Sequence, residues 1–162
     1  MTAPRPPVPI YIPALLILAS ATSILATDLY TPSLPHLQAV FQTDASRVQL
    51  TMTLNLVAYA LAQLFFGPLS DRIGRRPVLL AGMIGFGFAS LGCAAATSID
   101  ALILARVFQG MTGCAEAVVG YAVIRELYDD AGAVKVLAAY GMAIAIAPAI
   151  GPVIGGHMHV WF

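Results

Sequence analysis

Apolar residues along the chain gather into five long runs, at residues 10–29, 47–69, 77–97, 101–123 and 134–157, parted by short stretches of charged, turn-forming and proline residues. Each run is 20 to 24 residues long. At about 1.5 Å per residue a helix of that length reaches about 30 to 36 Å, which matches the hydrocarbon core of a bilayer. The pattern therefore predicts an all-α integral membrane protein with five transmembrane helices, preceded by a tail at residues 1–9. Ser46 and Gln49 fit a capping box for the second helix, Asp100 can cap the fourth, and Pro77 suits the first turn of the third. Arg5, the first apolar run and Ala19-Ser20-Ala21 imitate a cleavable leader. The run continues to Ala26, however, and cutting there would split one membrane-length segment, so it is read as a retained helix.

The few polar residues inside these runs carry the most information. An Arg or Asp at the centre of a membrane helix costs about 2.5 to 3.5 kcal/mol on insertion scales, so such residues usually face an interior cavity and pair there. Asp28 lies near one end of the first segment, Arg106 and Glu116 lie in the fourth, and the other three segments hold no ionisable group well inside. Arg106, Gln109, Gly113, Glu116 and Gly120 recur at steps of three and four and form one stripe. Asn55, Tyr59 and Gln63 make a shorter polar stripe on the second segment. Asp28 and Arg106 lie at similar depth and are expected to be able to meet. The competing readings are a cap or interfacial role for Asp28 and a simple interhelical contact for Glu116.

Composition changes this picture only by closing off alternatives. Apolar residues make up 59% of the chain and charged ones 10%, against roughly 25% charge in a soluble domain. The net charge of zero recruits no nucleic acid. Cys93 and Cys114 fall inside apolar runs as small hydrophobes, with neither metal nor disulfide spacing. His157 and His159, two residues apart at a helix end, point in different directions and lack further ligands, so no metal is expected. No Ser-His, Cys-His or metal constellation suggests an enzyme or calls for a cofactor. The basic residues set an orientation. With a cytoplasmic N-terminus, Arg5, Arg72, Arg75, Arg76, Arg125 and Lys135 lie inside, Arg47 lies outside and Arg106 lies within a helix, so six of the eight obey the positive-inside bias.

Anchoring alone would explain the arginines of GPLSDRIGRRPVLL at residues 67–80, but not the rest of that stretch. Gly67, Asp71, Arg72, Gly74, Arg75 and Arg76 reproduce the motif G-x-x-x-D-R-x-G-R-[RK] between helices two and three of the major facilitator superfamily, which the chain resembles. Leu104, Arg106, Gln109, Gly110 and Gly113 fit that family's fourth-helix pattern. Gly151, Pro152, Gly155 and Gly156, with Pro148 before them, fit the fifth-helix pattern of its antiporters, although Ala147 stands where glycine is common and Glu116 is an additional acid. Residues 26–35, ATDLYTPSLP, look most like the bicyclomycin and chloramphenicol resistance type of multidrug/proton antiporters.

The resemblance implies a proton-coupled exporter of small lipophilic or cationic compounds in a bacterial inner membrane, with lipid, protons and drug as its partners. In such an exporter the polar residues placed within the spans, Asp28, Arg106, Gln109 and Glu116, are expected to couple proton to substrate, with Asp28 and Arg106 as the central pair. The 67–76 motif would latch the cytoplasmic gate, with Asp71 accepting from a helix N-terminus. Small residues and prolines are also ordinary membrane-helix packing, and Pro148 and Pro152 are expected to bend or loosen the fifth helix. The family has twelve helices in two halves, so five helices are less than half a transporter. The chain is expected to be an N-terminal portion that needs the other half for transport. The alternative is a membrane fragment or assembly partner without transport activity of its own.

Overall fold

A computed structural model describes Pro9 and residues 11–161, with side chains as far as His157. Arg5 and the rest of the predicted tail up to residue 8, together with the side chain of His159, lie outside the described residues. The described chain folds into α1 (Tyr11–Asp28), a 3₁₀ turn (Thr31–Ser33), α2 (Leu34–Val40), α3 (Ala45–Ile73), α4 (Arg75–Ala94), α5 (Ile99–Leu127) and α6 (Asp130–Trp161). Five of these segments are long and apolar enough to cross a membrane, the first being α1 continued through α2. The predicted class and the number of spans therefore hold.

The helices outrun the apolar segments because hydropathy marks where hydrocarbon ends, whereas a helix continues into the polar boundary as long as its backbone bonds are satisfied. Predicted at 47–69, the second spanning helix runs from Ala45 to Ile73. The connection to α4 is one residue, Gly74, whose φ of 99° is open to glycine and strained for other residues. Most of the charged motif read as a turn is therefore the last turn of α3 and the first of α4. The connection between the first two runs holds an unpredicted short helix. Pro32 and Pro35, near the starts of the 3₁₀ turn and of α2, preset helical backbone there. Leu34, Leu37 and Phe41 then pack onto Val48, Ile99 and Leu102.

Two predicted caps are corrected. The N-cap of α3 is Asp44, without a side-chain bond, and Ser46 lies inside the helix. The cap of α5 is Ser98, whose hydroxyl accepts from the Ala101 amide at 3.2 Å. Asp100 instead pairs with Arg47 at 3.2 Å, both side chains being exposed, a contact worth about 0 to 1 kcal/mol.

α5 is the centre of the bundle. Half of its apolar window is buried, against 17% to 22% in the other spans, and it packs along α3 and α4 on one side and touches α1 and α6 on the other. Its closest approach is at Gly110, where an added Cβ would collide with the Asn55 carbonyl of α3. The Asn55 side chain donates to the Arg106 carbonyl at 2.7 Å, so the same residue fixes both the spacing and the register of the pair. On the outside, Leu64, Phe65, Phe88 and Leu91 are each 67% to 71% exposed, an apolar surface that suits hydrocarbon and not water.

Candidate functional site

The α5 stripe read from spacing is buried as a unit. Arg106, Gln109, Gly113, Glu116 and Gly120 all face into the bundle, and Arg106, Gln109 and Gly113 among them line two cavities. The first, of about 250 Å³, lies between α1, α3, α5 and α6 and is lined by Ser23, Thr27, Asp28, Tyr59, Gln109 and Tyr140 among others. Ser23 donates a short hydrogen bond to the Glu116 carboxylate, joining α1 to α5, and Tyr140 donates to Ser20 at 2.6 Å, joining α6 to α1. Asp28 is the last residue of α1, and its Oδ2 is buried without a hydrogen-bond partner. A carboxylate at a helix C-terminus opposes the helix dipole, and no ion pair among the described residues involves Asp28.

The expected contact between Asp28 and Arg106 is not formed. Arg106 faces the second, more open cavity, which Tyr30, Ser90, Cys93 and Gln109 also line and Asp28 does not. The two side chains line different cavities that share Gln109. Arg106 Cζ sits 3.6 Å from the centroid of the Tyr30 ring, and Nη1 donates to Gln109 Oε1 at 2.9 Å. The Gln109 amide is oriented by its bond to Ser90 Oγ at 2.9 Å, and Ser90 in turn donates to the Phe86 carbonyl at 2.8 Å. Thr51 donates to the Val48 carbonyl at 2.6 Å, so the 2.8 Å contact between Tyr30 and Thr51 is a donation from the Tyr30 hydroxyl. A desolvated cation over an aromatic face gains about 2 kcal/mol, less than the several kcal/mol that burying a charge costs. Arg106, 5% exposed, is a cation held entirely by neutral groups.

At the Gly74 end, Arg75 is the hub. It pairs with Asp71 at 2.6 Å and, through Nε and Nη2, with Glu126 Oε1 at 2.9 and 2.7 Å. Arg75 thereby ties α3, α4 and α5 together. Asp71 does not cap α4 as expected, because the cap position is Gly74 and Asp71 is engaged by the arginine. Arg72 and Arg76 are exposed. Gly67 is not a close-contact glycine, since an added Cβ would find Val118 no nearer than 4.0 Å.

In α6 the fifth-helix motif faces the end of α1. Added Cβ atoms at Gly151 and Gly155 would meet Asp28 Cβ and the Leu29 carbonyl, both at 2.5 Å. Those two glycines therefore bring α6 against the Asp28 turn, while Gly156 has open space and Pro152 is exposed. Pro148 lines the first cavity, and the helix runs unbroken through both prolines. Ala147 is 2% exposed, so the departure from glycine there leaves packing intact.

Sequence reasoning passed over Ser23, Tyr30, Ser90, Tyr140 and Glu126. Ser20, Ser23 and Thr27 do repeat at helical steps toward Asp28, a hydroxyl stripe that could have been read. Glu126, at 51 residues from Arg75, carries no local signal.

An apolar bundle of five helices long enough to cross a bilayer, with charged side chains at its cavities, has the architecture of a multi-pass membrane protein. Residues 16–162 match the Major Facilitator Superfamily, and the chain belongs to that family. It is 37% identical over 152 residues to the chloramphenicol resistance protein of Pseudomonas aeruginosa, covering 91% of this chain and 36% of the relative. It is 36% identical over 146 residues to the multidrug resistance protein MdtM of Salmonella typhimurium, covering 90% and 35%. It is 34% identical over 152 residues to the multidrug transporter MdfA of Shigella boydii, covering 92% and 37%. The chain thus spans about a third of the length of these relatives.

Proposed function

We propose that the chain serves as the N-terminal portion of a proton-coupled multidrug exporter in a bacterial inner membrane, with its N-terminus in the cytoplasm. The observation that carries this reading is Asp28, a half-buried carboxyl at the end of a spanning segment that lines a cavity of about 250 Å³, with its Oδ2 enclosed and no ion-pair partner among the described residues. Names of the relatives supply the substrate class, drugs rather than nutrients.

Within this reading Asp28 and Glu116 exchange the proton, and the substrate competes for the cavity that Asp28 lines and that Glu116 reaches through Ser23. Gln109, which lines both cavities, links the carboxylate side to Arg106. Gly67, Asp71, Arg72, Gly74, Arg75 and Arg76 act as the cytoplasmic gate motif, with Arg75 as its clasp. Within the antiporter motif of Pro148, Gly151, Pro152, Gly155 and Gly156, the two glycines at 151 and 155 hold α6 against α1 as a seal. Alternating access requires a second bundle to rock against this one, so transport belongs to the complete assembly.

The test uses inverted membrane vesicles holding a complete transporter with this segment as its N-terminal part. An acid interior is expected to drive accumulation of a lipophilic cation or of chloramphenicol, and a protonophore is expected to stop it. Undiminished accumulation after the proton gradient is collapsed would remove proton coupling from the reading. Orientation is checked separately by single-site labelling in intact cells. Asp44→Cys is expected to react with an impermeant maleimide from outside, and Arg76→Cys only after permeabilisation, since the basic residues flank the Gly74 end. The reverse pattern would invert the topology.

A further inference from the structure

We infer that Thr27 is the residue by which the Asp28 cavity selects uncharged drugs, its hydroxyl meeting the hydroxyl or amide group of a neutral aromatic molecule. Taking that cavity as the substrate site, as proposed above, leaves open which side chain reads a drug that carries no charge. Thr27 lies half-buried on the cavity wall, one residue before Asp28.

Most polar side chains around the cavity are already engaged inside the protein. Ser23 donates to Glu116, the Asn55 amide to the Arg106 carbonyl, Gln109 to Ser90, and Tyr140 to Ser20, itself only 3% exposed. Thr27 is different. Hydroxyls on helices commonly bond the carbonyl one turn back, and Thr22, Ser90 and Thr112 do so at 2.8, 2.8 and 2.7 Å. Thr27 reaches the Ser23 carbonyl only at 3.5 Å, past the range of about 2.5 to 3.0 Å that an O–H···O bond prefers. Its hydroxyl is therefore open to a ligand that offers a better partner.

The rest of the wall sorts ligands by charge. Ile24, Leu56 and Ile144 offer apolar surface, and the rings of Tyr59 and Phe86 suit an aromatic group. A lipophilic cation is attracted by the Asp28 carboxylate and by the aromatic faces, and needs no hydrogen bond. An uncharged molecule has no such attraction. Its hydroxyl or amide loses water on entering the cavity and is destabilised unless a protein group replaces that water. A threonine hydroxyl can donate or accept, so it meets either group. A neutral hydrogen bond of this kind changes affinity by about fivefold.

Equilibrium binding to a purified complete transporter carrying this segment tests the assignment without a proton gradient, so it stands or falls separately from proton coupling. The probes are chloramphenicol, which is uncharged and bears hydroxyls and an amide, and tetraphenylphosphonium, a cation with no hydrogen-bonding group. Thr27→Val keeps the branched shape and removes the hydroxyl. It is expected to raise the Kd for chloramphenicol by about fivefold and to leave the Kd for tetraphenylphosphonium unchanged. Thr27→Ser restores the hydroxyl and should bind chloramphenicol as the wild type does. An unchanged chloramphenicol Kd in Thr27→Val, an equal loss for both probes, or a Thr27→Ser variant as weak as Thr27→Val would overturn the assignment. Because the internal bond that is lost is a stretched one, Thr27→Val should melt with the wild type. If it folds poorly, Thr27→Ala removes the same hydroxyl and carries the same expectation for the two probes.

Discussion

Asp28→Asn, in a complete transporter carrying this segment, is expected to abolish uphill drug accumulation on a proton gradient while leaving downhill drug exchange measurable. The asparagine is nearly isosteric, so the close contact with Gly151 survives the substitution. Oδ2 makes no hydrogen bond that the amide would break. Membrane insertion and abundance should therefore stay within about twofold of wild type, because away from special features a substitution shifts stability by about 0.5 kcal/mol or less. What disappears is a group able to take up and release a proton at the cavity. A ligand that binds two states equally shifts no population between them, so loss of the proton's differential effect leaves exchange without coupling. The measurement is drug accumulation in vesicles with and without an imposed pH difference. Wild-type uphill transport by the variant would transfer the coupling role to Glu116, which Ser23 already ties to α1.

The second large effect is structural. Gly110→Leu is expected to pry α3 from α5 and to destabilise the bundle by several-fold more than a leucine at a lipid-facing site. Even the Cβ collides with the Asn55 carbonyl, and that carbonyl belongs to helix backbone that cannot rotate out of the way. Overpacking a tight core costs about 1 to 3 kcal/mol. Separating the helices also strains the Asn55 donation to the Arg106 carbonyl, an interhelical bond of a class worth about 0.6 kcal/mol on average. Gly87→Leu is the matched control, because nothing lies within 4 Å of an added Cβ there. Thermal unfolding of the purified chain in detergent, followed by helical circular dichroism, should show a clear loss for Gly110→Leu and little change for Gly87→Leu. Equal melting of the two variants would mean that the α3–α5 contact is not the tight joint described.

Hydrophobic length alone determined the number of spans, because a bilayer demands about 20 apolar residues wherever a helix crosses it. Period alone determined that Arg106, Gln109, Gly113, Glu116 and Gly120 share a buried face, since residues three and four apart stack along a helix whatever lies beside it. Local chemistry misled where neighbours intervened. Ser46 and Asp100 both read as caps, yet Asp44 and Ser98 take those places, and Asp100 turns to Arg47 on another helix.

The meeting of Asp28 with Arg106 could not be read from depth, because depth follows from counting residues whereas contact depends on how each helix is rotated about its axis. That rotation is set by side chains far apart in sequence. Gly110 seats α5 on Asn55, Gly151 seats α6 on Asp28, and Tyr30 slides under the guanidinium of Arg106. The sequence thus determined which residues face inward, and only the tertiary packing decided that the two charges border different cavities, lined among the described residues by a carboxylate without a cation in one and a cation without a carboxylate in the other.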